Sequence, residues 1–381
     1  MKLLHIADLH AGKKLYGKSR NEDLEYALEQ VLNVCREEKV SVLLIAGDVF
    51  DKRNPDHESQ ALMLDFFARA STLNMHTVVI SGNHDSYELM KAYSSLKRLS
   101  GKVHVFDRPT KDPRDSIFEY ESVKIACLPY PDERVITHFH EDTQRSYAEK
   151  VVAYMKALAK HTEDARYSIL ITHLMLSNAQ LAGSEVMYGF SYFVPAESLP
   201  ETFSYIALGH VHKYQRIEKA PGKTYYCGSP YQIDFSEKET DKFANLIILE
   251  EGLARVEPVR LELKRSLVEV SLGLEDRSEV VLEPLRHRNV LVKVSLMLKM
   301  GDPYGQLKKE RVAELLGEKL ARLEVVPYVE GQVKQEQEEG IDLLKLYERF
   351  YTEKYGSKPS QELMDKLTNL MGRVSHETSQ A

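Results

Sequence analysis

Tryptophan is absent from the 381 residues, and cysteine occurs only three times, at Cys35, Cys127 and Cys227. Cysteines isolated in sequence and set within apolar segments offer neither a disulfide framework nor a Cys-x-x-Cys metal knuckle, so they read as small core residues. No apolar run reaches the roughly 18 residues that cross a bilayer, which leaves no membrane-spanning helix to expect. Met1-Lys-Leu-Leu-His enters a strand pattern directly, with no cleavable signal segment, and the expectation is a cytoplasmic protein that does not engage a membrane. An excess of positive charge is lacking too. The net charge of −7 argues against indiscriminate nucleic-acid binding, so any contact with DNA has to come from local sign asymmetry.

What the sequence does contain is one local pattern five times over: an apolar strand that stops at once in Asp, Asn or His. The copies are Leu3-Leu-His-Ile-Ala-Asp8-Leu-His10, Val42-Leu-Leu-Ile-Ala-Gly-Asp48, Thr77-Val-Val-Ile-Ser-Gly-Asn83-His84-Asp85, Ser168-Ile-Leu-Ile-Thr-His173 and Tyr205-Ile-Ala-Leu-Gly-His210-Val-His212. A run as apolar as residues 42–46 suits a parallel strand covered on both faces by helices. Ligands of open α/β sheets bind beyond the carboxyl ends of the strands, so five strands deliver metal-binding residue types to one edge.

The loop 11–20 carries Lys13, Lys14, Lys18 and Arg20 and no acid; it is either a phosphate contact or an ordinary solvated loop. Helical spacing follows at 22–38 and, after the cap signal Asn54-Pro55-Asp56, at 58–73. The latter sets Leu62, Met63, Leu64, Phe66 and Phe67 together, and a further helix is expected at 87–99. Such surplus apolar surface is buried within its own domain or against a second copy, and a homodimer contact through 58–73 and 87–99 is the expectation. Strands at 103–106, 117–120 and 123–128 read as a second sheet layer, and a helix at 142–160 returns the chain to the His173 strand. The Gly-, Ser- and aromatic-rich loop 174–204, with Tyr188, is a candidate wall of the site. Alternating stretches at 214–218, 224–227, 244–250 and 254–261 read as an antiparallel meander.

Length and pattern divide the chain at 1–263, 264–329, 330–340 and 341–375. The second part reads as a small α+β domain. Residues 286–311 hold seven Lys or Arg against Asp302 and Glu310, the best basic patch in the chain. Lys308, Lys309 and Arg311, with Lys13, Lys14 and Arg20, are the candidate DNA contacts. Residues 330–340 are polar enough for a linker. Two amphipathic helices beyond it carry Leu343, Leu346, Tyr347, Phe350, Leu363 and Leu367, which two helices alone cannot bury. They lie on a partner protein or dock back on the chain itself.

Hydrolysing a phosphate ester at neutral pH requires a hydroxide, an electrophile and an acid for the leaving group, and two divalent ions supply the first two. A pair about 3.5–4 Å apart needs a bridging carboxylate and hard or borderline terminal ligands. Asp48 suits the bridge. Asp8 and His10, two apart, reach one ion from a single turn, and His210 and His212 share that spacing. Asn83 offers a carbonyl oxygen and His173 completes the set. One Asp-x-His among fourteen histidines is uninformative. The ordered set, each member directly after an apolar strand, does not arise from packing alone.

At these residues the sequence resembles the calcineurin-like metallophosphoesterases. Met1-Lys-Leu-Leu-His-Ile-Ala-Asp8, Ala46-Gly-Asp-Val-Phe-Asp51, Ala207-Leu-Gly-His-Val-His212 and Tyr226-Cys-Gly-Ser-Pro230 narrow the likeness to the SbcD-type nucleases, the bacterial branch of the meiotic-recombination nuclease family. Asp51 stands where other branches carry histidine. The resemblance implies an α/β fold, a two-layered β-sandwich flanked by helices, with a small capping domain and a C-terminal helical hairpin. It also implies that Asp8, His10, Asp48 and His212 hold one metal while Asp48, Asn83, His173 and His210 hold the other. His84 is then the non-ligand acid, with Asp85 placed to orient it. The activity implied is a manganese-dependent DNA nuclease, with Mg²⁺ as the alternative ion, 3′-to-5′ on duplex ends and endonucleolytic on hairpins and single strands. Its partner is an SbcC-type ATPase bound through the C-terminal helices. A stand-alone phosphatase or cyclic-nucleotide phosphodiesterase would use the same metals, without need of the helical tail or the basic small domain.

Overall fold

In chain order the structure, a computed structural model, forms β1 (Lys2–Ile6), the short strands β2 (Lys14–Leu15) and β3 (Lys18–Ser19), α1 (Asn21–Glu37), β4 (Val42–Ala46), α2 (His57–Thr72) and β5 (His76–Ile80). There follow α3 (Tyr87–Tyr93), α4 (Leu96–Ser100), β6 (Val103–Phe106), β7 (Ile117–Tyr120), β8 (Val123–Leu128), α5 (Glu133–Thr137), α6 (Tyr147–Lys160), β9 (Tyr167–His173) and β10 (Tyr205–Gly209). The remainder is β11 (Gln215–Arg216), β12 (Thr224–Tyr226), β13 (Lys242–Glu250), β14 (Leu253–Leu261), β15 (Ser266–Leu272), α7 (Ser278–Arg286), β16 (Val290–Lys299), α8 (Gly305–Leu316) and β17 (Leu320–Tyr328). The residues described are 1–139, 145–182, 193–328, 351, 358–360 and 363. The expected linker at 330–340, Tyr188, Leu343, Leu346, Tyr347, Phe350 and Leu367 lie outside them. Among the described residues no helix is long and apolar enough to cross a membrane.

Two six-stranded sheets stack face to face. The first has the order β14-β13-β1-β4-β5-β6, with β1, β4, β5 and β6 parallel. The second has the order β11-β12-β10-β9-β8-β7, with β8, β9, β10 and β12 parallel. Leu3, Val42, Leu44 and Val78 of one sheet meet Ile125, Ile169, Ile171 and Ala207 of the other. The outer face of the first sheet is covered by Leu28, Val31, Met63, Phe66 and Phe67 of α1 and α2, and that of the second by Val151, Met155 and Leu158 of α6. The run 42–46 is therefore buried on both faces, but by helices on one and a sheet on the other. Apolar composition registers burial and does not register what does the covering.

Side chains fix the helix starts: Asp56 accepts from Ser59 N–H at α2, and Ser146 forms a capping box with Glu149 at α6. Three expectations change. β6 joins the first sheet rather than the second, and the supposed meander is split, β11 and β12 going to one sheet and β13 and β14 to the other. The helix expected at 87–99 is two, α3 and α4. The surplus that suggested a homodimer is mostly absorbed: Met63, Phe66 and Phe67 are buried with Leu62 against them, leaving Leu64 43% and Leu99 84% exposed.

Residues 266–328 form a third, three-stranded sheet, β15-β16-β17, within the same compact unit, Met1–Tyr328. All three strands are parallel, joined by α7 and α8, so this part is a βαβαβ wrap where a small α+β domain was expected. Its helices bury Leu282, Leu285, Val312 and Leu316 against Val292, Val294 and Leu296. Leu267, Leu291 and Ala321 turn the other way and pack on Leu15 and Phe235.

Candidate metal centre

The parallel strands of both sheets end at one edge, and the turns there are strained. Of the eight non-glycine residues with positive φ among those described, four are Asp8, His10, Asp48 and His210. Such backbone costs on the order of 1–3 kcal/mol per residue and persists only where the surroundings over-determine it. Here they do. Asp8 N–H donates to Gly47 O (3.1 Å) and His10 N–H to Asp48 O (2.9 Å), locking the first two turns together. Gly82 and Gly209 allow the turns to meet: a Cβ on Gly82 would sit 2.1 Å from Asp48 Oδ1, and one on Gly209 1.8 Å from Ala46 O.

Two groups of donor atoms converge across this edge. In one, His10 Nε2 and His212 Nε2 lie 3.2 Å apart, Asp48 Oδ2 is 3.6 Å from His10 Nε2, and Asp8 brings a carboxylate oxygen within 4.8 Å of both rings. In the other, Asn83 Oδ1 lies 3.0 Å from His173 Nε2 and 2.9 Å from His210 Nδ1, and Asp48 Oδ2 is 3.4 Å from His173 Nε2. Asp48 Oδ2 belongs to both. All seven side chains expected as ligands meet here.

The converging oxygen and imidazole donors fit cations. His173 Nδ1–H donates to Ala46 O (2.8 Å) and His212 Nδ1–H to Glu237 Oε1 (3.0 Å). With Nδ1 so held, His212 turns its Nε2 to His10 Nε2, and His173 turns its Nε2 to Asn83 Oδ1 and Asp48 Oδ2. Asp8 Oδ1 accepts from His210 N–H at 2.8 Å, whereas the buried Oδ2 has no hydrogen-bond partner. Burial raises the Asp8 carboxyl to about 6, and it lowers His10 to about 4 and His210 to about 3. Burial also disfavours charge on His173 and Asp48, but their mutual attraction prevails, raising His173 to about 9 and holding Asp48 well below the usual carboxylate range. Divalent cations satisfy such a set of oxygen and imidazole donors.

His84 sits beside both groups, its ring 5.0 Å from that of His10. Its N–H donates to Asp48 Oδ1 (2.9 Å) and its Nδ1–H to the main-chain carbonyl of Asp51 (2.9 Å). Asp85 was expected to orient this ring and does not. Its carboxylate accepts the N–H groups of Gly82 (2.8 Å), Val49 (3.1 Å) and Phe50 (2.9 Å), so it clamps the Asp48 turn to the Asn83 turn. The orienting acceptor is a carbonyl, which sequence cannot distinguish from any other. The Asp51 side chain lies 3.4 Å from His10 Nδ1 and 3.3 Å from Lys13 Nζ. Glu237, not expected at all, is buried behind His212, 25 positions along the chain, and no local pattern marks it.

The candidate DNA contacts divide. Lys13 stands at the rim of the centre and Lys14 is exposed. Arg20 is a correction: it is fully buried, pairs with Asp23 at 3.3 Å and donates to Gln232 O at 3.0 Å, so it holds the fold and meets no solvent. The basic patch is also weaker than its local count, because Lys308 pairs with Asp302, and Arg311 with Glu279 and Glu314, two acids outside the stretch counted.

Residues 1–214 match the family described as Calcineurin-like phosphoesterase. Over 397 residues, covering 99% of this chain and 99% of the relative, the sequence is 28% identical to the SbcD component of the SbcCD nuclease of Bacillus subtilis (strain 168). Among solved structures, a dimetal phosphatase from Danio rerio shares 13% identity at a TM-score of 0.41, covering 69% of this chain and 99% of that one.

Proposed function

The chain belongs to the calcineurin-like phosphoesterase family, and from that premise we propose that it is a two-metal DNA phosphodiesterase, the nuclease component of a complex with an SbcC-type ATPase. The observation that carries the reading is the sharing of Asp48 Oδ2 between two donor groups, with His84 beside both. In this reading the ions are Mn²⁺, with Mg²⁺ as the alternative. The reactions are 3′-to-5′ degradation of duplex ends and endonucleolytic cutting of hairpins and single strands, in DNA repair, recombination and replication. The segment 341–375 takes the ATPase. A homodimer through α2, α3 and α4 would rest on Leu64 and Leu99, the apolar side chains left exposed there.

When bound, two divalent ions supply Lewis acidity at the phosphoryl oxygens and make a water nucleophilic at neutral pH. The chain supplies the rest. Asp48 spaces the two donor groups, Asp85 keeps the Asp48 and Asn83 turns from drifting apart, and His84 handles the proton. Because the Asp51 carbonyl only accepts, Nδ1 of His84 keeps its hydrogen, so the doubly protonated ring delivers its Nε2 proton to the leaving oxygen and is left neutral with Nδ1–H still on the carbonyl.

The test is incubation of the purified chain with a labelled DNA hairpin and a labelled duplex in Mn²⁺, with and without its ATPase. Cutting of either DNA supports the reading. Hydrolysis of small phosphate esters with no DNA cut under any condition overturns it in favour of a phosphatase.

A further inference from the structure

Glu237 and the segment around it lie beyond the part of the chain that the family match covers. One carboxylate oxygen, Oε1, accepts His212 Nδ1–H at 3.0 Å. The other accepts from Lys242 Nζ at 2.5 Å, Ile233 N–H at 3.1 Å and Ser229 Oγ at 3.2 Å. Lys242 is itself fixed by Ser229 Oγ at 2.7 Å and His212 O at 3.4 Å. Both oxygens are thus engaged, and the imidazole is held at its rear nitrogen while Nε2 faces Asp8 and His10.

Among the described residues the other three histidine donors are held differently: His173 is backed by the carbonyl of Ala46, His10 has the Asp51 carboxylate at the longer distance of 3.4 Å, and His210 faces its group through Nδ1. A carboxylate hydrogen-bonded behind a metal-binding imidazole fixes its tautomer and orientation and makes it a stronger donor. The effect belongs to one of the two donor groups only.

The same segment seats the third sheet. Phe235, two residues before Glu237, packs with Leu15, Leu267 and Leu291. Gln232 Oε1 accepts the Leu267 N–H at 2.8 Å, and Lys238 pairs with Glu269 of β15. β15 and the loop that holds His212 are thus joined through Gln232, Phe235 and Lys238.

Resting on the two-metal reading above, we propose that Glu237 is a positioning residue for the ion held by Asp8, His10 and His212. Its loop ties retention of that ion to the seating of β15, β16 and β17. The ion at Asn83, His173 and His210 is independent of both.

The full-length chain, stripped of metal, is titrated with Mn²⁺ by calorimetry. Ions retained after gel filtration are counted, and metal-free melting temperatures are taken in parallel. Wild type is expected to hold two ions; if it does not, the two-metal reading fails and Glu237 is not the cause. Glu237→Leu with Lys242→Met removes both buried charges together, so the fold is preserved while the His212 contact is lost. This double variant is expected to hold one ion with wild-type affinity and the other about 10–100-fold more weakly. Glu237→Gln, which keeps an acceptor for Nδ1–H, falls between. Leu267→Ala is expected to weaken the same ion and spare the other. Two ions at wild-type affinity in the double variant overturn the proposal, and so does equal weakening of both ions with a falling melting temperature, which would mark a structural ion pair. Unchanged binding in Leu267→Ala overturns the tie to the third sheet.

Discussion

His84 offers the sharpest test of the proposed chemistry, because its ring nitrogen lies within 4.8 Å of ligand atoms of His10 and Asp48 and its main-chain N–H holds the Asp48 carboxylate, yet the proposal gives it the proton and not an ion. His84→Ser should retain both ions by elemental analysis while DNA cleavage falls about 10²–10⁴-fold, the ordinary worth of a positioned proton donor. Asp48→Ala should lose the ions as well, since both groups share its Oδ2. The protons bound at the centre give an independent check. His173, raised to about 9, is charged at pH 7.5 without metal and must lose that proton to donate Nε2. Loading with Mn²⁺ at pH 7.5 should therefore release about one proton, rising toward two below pH 6, where Asp8 is protonated too, and vanishing above pH 9. The measurement is calorimetry in buffers of differing protonation enthalpy. Metal affinity should tighten as pH rises; a pH-independent enthalpy-corrected affinity would contradict it.

Arg20 shows what an element's surroundings do to a residue that its neighbours in sequence describe poorly. Four basic residues in ten suggest a phosphate-binding loop, yet the start of α1 turns one of them inward to Asp23, which also takes Arg265 from the connection between β14 and β15. Arg20→Ala should lower stability by on the order of 3 kcal/mol, because it leaves polar partners buried and incompletely matched, and should leave the salt dependence of DNA binding unchanged. Lys13→Glu with Lys14→Glu should instead flatten that dependence, each lost phosphate contact removing about 0.9 from the log–log slope. Reversal of Lys308, Lys309 and Arg311 should have a smaller effect than their number suggests, given Glu279 and Glu314 beside them. Denaturant melts and filter binding at three salt concentrations separate these outcomes.

For the molecule as a whole, the compact unit Met1–Tyr328 carries both donor groups and the third sheet, so the expectation is that it folds and loads metal without the chain beyond it. Deleting residues 339–381 should abolish association with the ATPase and leave the melting temperature of the remainder within a few degrees. Leu346→Asp with Phe350→Asp should do the same, since apolar side chains at helical spacing are how an amphipathic helix lies in a partner's groove. Loss of several degrees with the complex intact would mean that these residues cover their own chain.

The sequence by itself determined the strands and which donor side chains stand at their ends. An apolar run can be buried only as a regular element, and Asp, Asn and His placed where such a run stops have nowhere to go but the edge, so Asp8, His10, Asp48, Asn83, His173, His210 and His212 were legible one by one. Tertiary structure decided what the runs pack against and which groups stand behind the converging donors. Whether β4 is covered by a helix or a sheet, whether β6 and β13 join one layer or the other, and that Asp85 clamps two turns, Asp51 offers its carbonyl and Glu237 grips His212, are matters of pairing across tens to hundreds of residues. Periodicity records how much of a side chain is hidden from water. It carries no record of the atom that hides it.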